Sequence, residues 1–215
     1  MDLKGLDVKS LDVKDWLARC PLVAILRGVR PDEVEAVGDA LVAAGIVVIE
    51  VPLNSPEPIE SVRRLSTRFG DRALVGAGTI RRPVEVAAVA EAGGRLLVTP
   101  HADPGLVREA KTRGMVAMPG FFTPAEAFAL LDAGADALKL FPAEAGGPAT
   151  LRALRAVLPP EVPLLPVGGV DAGNLAAWRE AGAAGFGCGS SLYKPGDAPG
   201  TVAAKAAVLL AALGR

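Results

Sequence analysis

The stretch TPAEAFALLDAGADALKLF, residues 123–141, contains a helix pattern followed by a strand pattern. Thr123 is predicted to be the N-cap of the helix, with Glu126 as its reciprocal capping partner. Apolar residues recur at three- and four-residue spacing until Gly134, a residue type that favours the backbone conformation found just past helix ends. The apolar run Ala137–Phe141 predicts a buried strand. The stretch therefore predicts one helix–strand unit of an α/β fold.

The same alternation recurs on both sides of this unit. Short apolar runs that each precede an Ala-rich helical pattern occur at Leu22–Leu26, Ile46–Val51, Ala73–Ala77, Leu96–Val98, Met115–Met118, Ala137–Phe141, Leu164–Val167 and Gly185–Gly187. Apolar strands separated by helices imply parallel pairing with both faces of the sheet covered. Eight such units predict a closed (β/α)8, or TIM, barrel.

An open doubly wound sheet is the alternative architecture. Its first strand–helix turn would fall at Leu26–Arg30, which lacks the G-x-G-x-x-G pattern of dinucleotide-binding folds. The whole chain, residues 1–215, is predicted to be a single domain. Residues 1–20 lie outside the alternation and are predicted to form an extra N-terminal helix, with Trp16 as its packing anchor.

Composition excludes several classes of function. The formal net charge is −1, so binding to nucleic acid or anionic lipid is not favoured. No apolar run reaches the roughly 20 residues that span a membrane, and the first residues do not form a secretion signal. Two cysteines cannot make disulfides central to the fold. We expect a soluble cytoplasmic protein.

Polar residues near the carboxyl ends of the predicted strands are the candidates for chemistry, because barrel enzymes place their active groups there. These residues are Arg27, Glu50, Thr79, Thr99, His101 and Lys139.

Lys139 is the most informative of them. Its neighbours in the strand are apolar, so an inward-pointing amine would be desolvated and its pKa lowered. A lysine that is partly neutral is a nucleophile toward a ketone. The structural alternatives are an ion pair with a buried carboxylate and a side chain that reaches solvent at the barrel rim.

Glu50 ends a second apolar strand. One interpretation is a general acid and base with a raised pKa, which moves protons for the lysine adduct. The other is a structural ion pair in the barrel core with Arg27.

Two glycine-rich turns follow the last two predicted strands, at Gly168-Gly169 and at Gly189-Ser190. Loops at these positions of a barrel commonly bind phosphate through exposed backbone N–H groups, and Ser190 adds a hydroxyl. We therefore expect a phosphorylated small molecule as the ligand.

Several motifs together resemble the family of 2-dehydro-3-deoxy-6-phosphogluconate and 2-dehydro-3-deoxy-6-phosphogalactonate aldolases. The resemblance covers Pro21 to about Pro195 and is carried by Glu50-Val51-Pro52-Leu53, Gly76-Ala77-Gly78-Thr79, Thr99-Pro100, Pro119-Gly120, Lys139-Leu140-Phe141-Pro142-Ala143-Glu144, Val167-Gly168-Gly169-Val170 and Gly189-Ser190.

This resemblance implies a role for each matching residue. Lys139 matches the Schiff-base lysine and Glu50 the proton donor and acceptor. The residues that match the pocket around the pyruvyl half are Thr79, Pro100 and Phe141, and those that match the phosphate cradle are Gly168, Gly169, Gly189 and Ser190. The family implies a cytoplasmic, usually trimeric enzyme of Entner–Doudoroff-type carbohydrate metabolism that needs no metal and no cofactor. For the substrate carboxylate, Arg27 is the candidate cation.

Two departures from the gluconate-type pattern of the family indicate which substrate is used. Where the gluconate-type subgroup has a Thr-Leu-Arg-Thr-like run, this chain has Pro52-Leu53-Asn54-Ser55-Pro56. Where the gluconate type has Thr before the Gly-Gly turn, this chain has Val167. Both differences favour the galactonate-type subgroup. Loss of one pocket hydroxyl shifts preference between the two C4 epimers by about 1–3 kcal/mol, so activity on both is expected. We expect cleavage of 2-dehydro-3-deoxy-6-phosphogalactonate to pyruvate and D-glyceraldehyde 3-phosphate.

Two other classes of function remain open from the residues alone. One is a divalent-metal aldolase, for which Glu50 without a second strand-end carboxylate is a poor ligand set. The other is a phosphate-binding barrel that is an isomerase or a non-catalytic sugar-phosphate sensor, in which Lys139 is only an ion-pair partner.

Overall fold

The computed structural model describes residues 12–215, in which helices and parallel strands alternate along the chain. The helices are α1 (Val13–Arg19), α2 (Val34–Ala43), α3 (Pro58–Phe69), α4 (Pro83–Glu91), α5 (Pro104–Thr112), α6 (Pro124–Asp132), α7 (Gly147–Arg155), α8 (Leu175–Glu180) and α9 (Pro199–Ala212). The strands are β1 (Leu22–Ile25), β2 (Val48–Pro52), β3 (Leu74–Gly78), β4 (Leu96–Val98), β5 (Val116–Met118), β6 (Gly120–Phe121), β7 (Leu138–Leu140), β8 (Leu164–Pro166) and β9 (Phe186–Cys188).

All strand pairs are parallel and form one curled arrangement. One sheet has the order β5-β4-β3-β2-β1-β9 and the other the order β6-β7-β8. A single parallel bridge between Val167 and Gly187 joins the ends of β8 and β9. The predicted α/β class with parallel strands is confirmed.

The fifth predicted strand, Met115–Met118, is present as β5, but a further two-residue strand that was not predicted, β6, follows it. Pro119 separates β5 from β6, since proline has no N–H group to donate to a neighbouring strand. Its carbonyl still accepts a hydrogen bond of 2.9 Å from the Lys139 N–H, which keeps β7 in line with the interrupted strand.

The predicted capping of the 123–141 stretch is confirmed. The Thr123 hydroxyl accepts a hydrogen bond of 3.3 Å from the Glu126 N–H, and the Glu126 carboxylate accepts one of 2.8 Å from the Thr123 N–H. Helix α6 ends at Asp132, and Gly134 shortly after it has a φ of 95°, the left-handed conformation that glycine adopts without strain.

At the N-terminal end of the described chain, α1 begins after Asp12, whose carboxylate accepts a hydrogen bond from the Lys14 N–H. Trp16 on this helix is almost completely buried. The part of the N-terminal prediction that concerns residues 1–11 lies outside the described residues. Within residues 12–215, no helix combines the length and apolar character needed to cross a membrane.

Strand register places the two predicted catalytic residues on separate parts of the sheet. Glu50 on β2 pairs with Ile25 and Gly76, and Lys139 on β7 pairs with Gly120 and Leu165. Every residue of β2 and β7 is buried. Both polar side chains therefore lie in the protein interior.

Candidate active site

Lys139 and Glu50 line the same small interior cavity. Lys139 is 7% exposed and Glu50 is 2% exposed. The cavity has a volume of about 10 Å³, and its other walls are apolar side chains and one glycine. A lysine and a carboxylate thus share a small compartment whose remaining walls are apolar.

Burial is the main cause that lowers the pKa of Lys139 below its ordinary value. The guanidinium of Arg27 lowers this pKa further, while the carboxylate of Glu50 raises it. No carboxylate oxygen among residues 12–215 lies within 4.0 Å of the amine, so the direct ion pair considered from the sequence is not formed. The amine instead lies 4.9 Å from the centre of the Phe141 ring. This environment favours the neutral, nucleophilic amine.

Glu50 is perturbed in the opposite direction. Burial raises the pKa of its carboxyl group, and the charges of Lys139 and Arg27 reduce that rise. Its Oε2 atom accepts no hydrogen bond from the described part of the chain. No ion pair within 4.0 Å joins Glu50 to Arg27 there, so the structural pair expected as an alternative is not formed. A carboxyl group whose pKa is raised is better suited to donate as well as accept a proton.

Gly78 makes room for this carboxylate. A Cβ atom built on Gly78 would lie 1.3 Å from Oε2 of Glu50. Any side chain at position 78 would therefore displace the Glu50 carboxylate.

A larger outer cavity of about 390 Å³ adjoins the interior one. Its lining includes most of the predicted binding residues: Arg27, Phe141, Val167, Gly168, Gly169, Gly189 and Ser190. Ile25, Val167 and Gly187 line both cavities. A ligand in the outer cavity can thus extend toward Lys139 past Val167.

Backbone conformation shapes the glycine turn after β8. Gly168 and Gly169 have φ values of 107° and 66°, which other residues rarely adopt. The carbonyl of Gly169 accepts a hydrogen bond of 2.7 Å from the Asn174 side chain. The turn presents backbone, without side chains, to the outer cavity.

Lys194 is a lining residue that the sequence did not single out. It is exposed, lies in the loop between β9 and α9, and lines the outer cavity together with Ser191 and Asp171. In the sequence, its position four residues after Ser190 in the same short loop could have indicated that it lines the cavity. Its ammonium group gives the cavity a second cation besides Arg27.

Other predicted residues lie around the site without lining either cavity. Thr79 follows β3 with a φ of 57°, unusual for a residue with a side chain, and Pro100 follows β4; both are half-buried. Thr99 is fully buried, donates a hydrogen bond of 2.6 Å to the His101 carbonyl and accepts one from the Gly120 N–H. Thr99 therefore fixes a turn. His101 is exposed.

Residues 12–215 contain no cluster of three or more His, Cys, Asp or Glu side chains that could hold a metal ion.

Comparison with known families matches residues 13–199 to the family described as KDPG and KHG aldolase. The chain belongs to this family. A buried lysine and a buried carboxylate on parallel strands, both lining one cavity, are an arrangement suited to an aldolase that acts through a lysine imine.

Relatives and solved structures are similar over most of the chain. A probable 2-dehydro-3-deoxy-6-phosphogalactonate aldolase of Rhizobium meliloti is 47% identical over 192 residues, which cover 89% of this chain and 91% of the relative. The 2-dehydro-3-deoxy-6-phosphogalactonate aldolase of Escherichia coli K12 is 45% identical over 92% of this chain and 96% of its own length. A KHG/KDPG aldolase of the same organism is 31% identical over 75% of this chain and 79% of its own length.

Two structures of 45% identity align closely with this fold. One, described as native KDPGal, has a TM-score of 0.89 and covers 91% of this chain and 95% of that chain. The other is a cube-shaped protein cage designed by fusing symmetric oligomeric domains, with a TM-score of 0.88 over 90% of this chain and 72% of that chain.

Proposed function

We propose that this protein is a class I aldolase that cleaves 2-dehydro-3-deoxy-6-phosphogalactonate to pyruvate and D-glyceraldehyde 3-phosphate. One observation carries the mechanism: a buried lysine with a lowered pKa shares a cavity with a buried glutamate of raised pKa. Groups whose environments move their pKa values toward neutrality are suited to nucleophilic and acid–base catalysis.

The first step is imine formation. Neutral Lys139 attacks the C2 ketone of the substrate, and the carbinolamine loses water to give a protonated imine. Arg27 at the edge of the outer cavity binds the C1 carboxylate, and the turns at Gly168-Gly169 and Gly189-Ser190 bind the phosphate.

Cleavage of the C3–C4 bond follows. The protonated imine accepts the electron pair of this bond and becomes an enamine. Glu50 takes the proton of the C4 hydroxyl as the bond breaks, and glyceraldehyde 3-phosphate leaves. Protonation of the enamine at C3, with the proton held by Glu50, and hydrolysis of the resulting imine then release pyruvate and restore Lys139. Phe141 borders the pyruvyl half, and the same role for Thr79 and Pro100 rests on the family resemblance.

The choice of the galactonate epimer rests on two observations. Relatives named for this substrate are 47% and 45% identical to the chain, whereas the relative named KHG/KDPG aldolase is 31% identical. Val167, which lines both cavities, offers a methyl group where the gluconate type has a hydroxyl.

Trapping with borohydride in the presence of pyruvate tests the mechanism. We expect a permanent pyruvyl adduct on Lys139, located by peptide mass spectrometry, and no adduct with Lys139→Ala or Lys139→Arg. Activity that is lost to a chelator, without any adduct, would instead support a metal-dependent aldolase. A Lys139→Ala variant that retains turnover would contradict the lysine's role.

We also propose that the parallel sheet closes into a (β/α)8 barrel and that residues 1–215 form one domain with an N-terminal extension over residues 1–20. Closure is supported by the Val167–Gly187 bridge on one side and by the β5–β6 run across Pro119 on the other. The placement of α1 before β1 supports the extension.

A cytoplasmic homotrimer is the proposed form of the enzyme. Phe122 and Phe128 are 38% and 44% exposed, and Ala125 and Ala129 beside them are also exposed. This apolar patch, residues 122–129 around the start of α6, is unusual for the outer face of a helix and suits a second copy of the chain. The cage built from symmetric oligomeric domains supports self-association.

A further inference from the structure

Two hydrogen bonds join the turn after β1 to the turn after β2. Nη1 of Arg27 donates to Oδ1 of Asn54 over 2.8 Å, and the Gly28 N–H donates to the hydroxyl of Ser55 over 2.9 Å. Asn54 and Ser55, here called the 54–55 clamp, thus hold both the side chain and the backbone of the turn that carries Arg27. Because Arg27 is exposed, its guanidinium would otherwise sample several rotamers.

The acceptor for Arg27 is chemically distinctive. Several other arginines donate to carboxylates, as Arg68 does to Asp39 and Arg113 does to Glu109, and others donate to backbone carbonyls, as Arg179 does to Leu213. Arg27 donates to the uncharged oxygen of a side-chain amide. Such a partner orients the guanidinium without neutralising it, and the other N–H groups of its five donors are left to meet an anion.

The opposite side of the same turn contacts the loop between β9 and α9, which is proposed to bind the phosphate. Gly28 has a φ of 82°, and a Cβ atom built on it would lie 2.7 Å from Cγ of Pro195. Pro195 directly follows Lys194 in the loop after β9. The turn that bears Arg27 is therefore held between the 54–55 clamp and the loop that carries Ser190 and Lys194.

We propose that Asn54 is a positioning residue that holds the Arg27 guanidinium in place to bind the substrate carboxylate while preserving its full charge. This inference rests on the proposed function, in which Arg27 meets the carboxylate end and the glycine turns meet the phosphate end.

In the direction of aldol addition, the two ends of the substrate belong to separate molecules. Pyruvate carries the carboxylate, and glyceraldehyde 3-phosphate carries the phosphate. We expect Asn54→Ala to raise the KM for pyruvate about tenfold, the effect of losing one hydrogen bond to a charged group, and to leave the KM for the aldehyde unchanged. A structural role would raise both KM values together and lower the melting temperature.

Asn54→Asp tests the importance of the neutral acceptor. Asp keeps the hydrogen bond to Arg27 but adds a negative charge that competes with the pyruvate carboxylate for the guanidinium. We therefore expect the KM of the Asn54→Asp variant for pyruvate to rise as well. If Asp restored the wild-type KM, rigidity alone would explain Asn54, and the charge argument would be overturned.

A double-mutant cycle shows whether Asn54 acts through Arg27. Arg27→Ala should raise the KM for pyruvate, and adding Asn54→Ala should have no further effect. A further rise in the double variant, or an unchanged KM in Arg27→Ala, would overturn the proposal. Glu109→Ala, which removes the carboxylate partner of Arg113 away from the site, is the matched control and should change neither KM.

Failure of the inference can be told apart from failure of the proposed function. Borohydride trapping of pyruvate on Lys139 at saturating pyruvate should succeed in the wild type and in Asn54→Ala. Absence of trapping in the wild type would contradict the proposed aldolase mechanism itself. Trapping that succeeds alongside an unaltered pyruvate KM in Asn54→Ala overturns only the role of Asn54.

Discussion

At the scale of single residues, the reactivity of Lys139 depends on the balance between its burial and two nearby charges. Glu50 raises the pKa of Lys139 and Arg27 lowers it. Above the pKa of Glu50, we therefore expect Glu50→Gln to move the titration of the Lys139 amine to lower pH, and Arg27→Met to move it to higher pH. NMR titration of lysine labelled with 13C at Cε measures both shifts without relying on activity. Shifts of the same sign in the two variants would contradict this electrostatic account.

Val167 is the residue at which the substrate epimer is expected to be selected. Its backbone is fixed by hydrogen bonds to Leu140 and Ala143, so a substitution there changes side-chain chemistry more than position. We expect Val167→Thr to raise the ratio of kcat/KM for the gluconate epimer to that for the galactonate epimer by about tenfold, the effect of one hydrogen bond. Side-by-side kinetics on the two epimers measure this ratio, and an unchanged ratio would place selection elsewhere.

At the scale of elements, the end of β3 determines where the Glu50 carboxylate can lie. We expect Gly78→Ala to displace this carboxylate and to lower kcat by about two orders of magnitude, as expected for loss of a positioned general base. Overpacking should also lower the free energy of unfolding by about 1–3 kcal/mol. Kinetics and denaturant unfolding measure the two effects.

Gly200 on α9 provides the control for this substitution, because a Cβ atom there contacts nothing within 4 Å. Gly200→Ala should keep full activity and, as a glycine-to-alanine change in a helix, should not destabilise the fold. Full activity in Gly78→Ala would show that the carboxylate does not need its present position.

The loop between β9 and α9 is expected to recognise the phosphate end. We expect Lys194→Ala to raise the KM for glyceraldehyde 3-phosphate about tenfold in the addition direction, with the KM for pyruvate unchanged, because only the aldehyde carries a phosphate. Lys14→Ala, at an exposed lysine of α1, is the control. A rise in the pyruvate KM instead would assign Lys194 to the carboxylate end.

The strands and their polar residues could be predicted from sequence, whereas the loop contacts could not. Lys139 and Glu50 stand out because a charge inside an apolar strand is costly unless it has a use. The bond from Arg27 to Asn54 joins two loops that are 27 residues apart in the chain, and no periodic pattern encodes such a contact. Strand β6 was not predicted because it has only two residues, begins with a glycine and follows Pro119, where the apolar run of the fifth strand ends.

At the scale of the whole molecule, Phe122 and Phe128 form an exposed apolar patch that a second copy of the chain would bury in the proposed trimer. If copies of the chain associate through it, a charge at its centre must be desolvated on assembly, which costs several kcal/mol when unpaired. We therefore expect Phe128→Glu to convert a trimer to a monomer in light scattering coupled to size-exclusion chromatography. Because Phe128 is exposed on α6, the substitution should leave the fold intact, and an unchanged circular dichroism spectrum checks this.

A second exposed apolar residue makes this test specific. Val208 on α9 is 60% exposed, more than Phe128, but stands apart from the patch. Val208→Glu should leave the trimer intact, because a single exposed valine needs no partner. Dissociation by Val208→Glu, with Phe128→Glu still trimeric, would move the interface to α9. Because residues 122–129 directly follow β6, which pairs with the strand of Lys139, loss of the trimer at constant fold should also alter kcat.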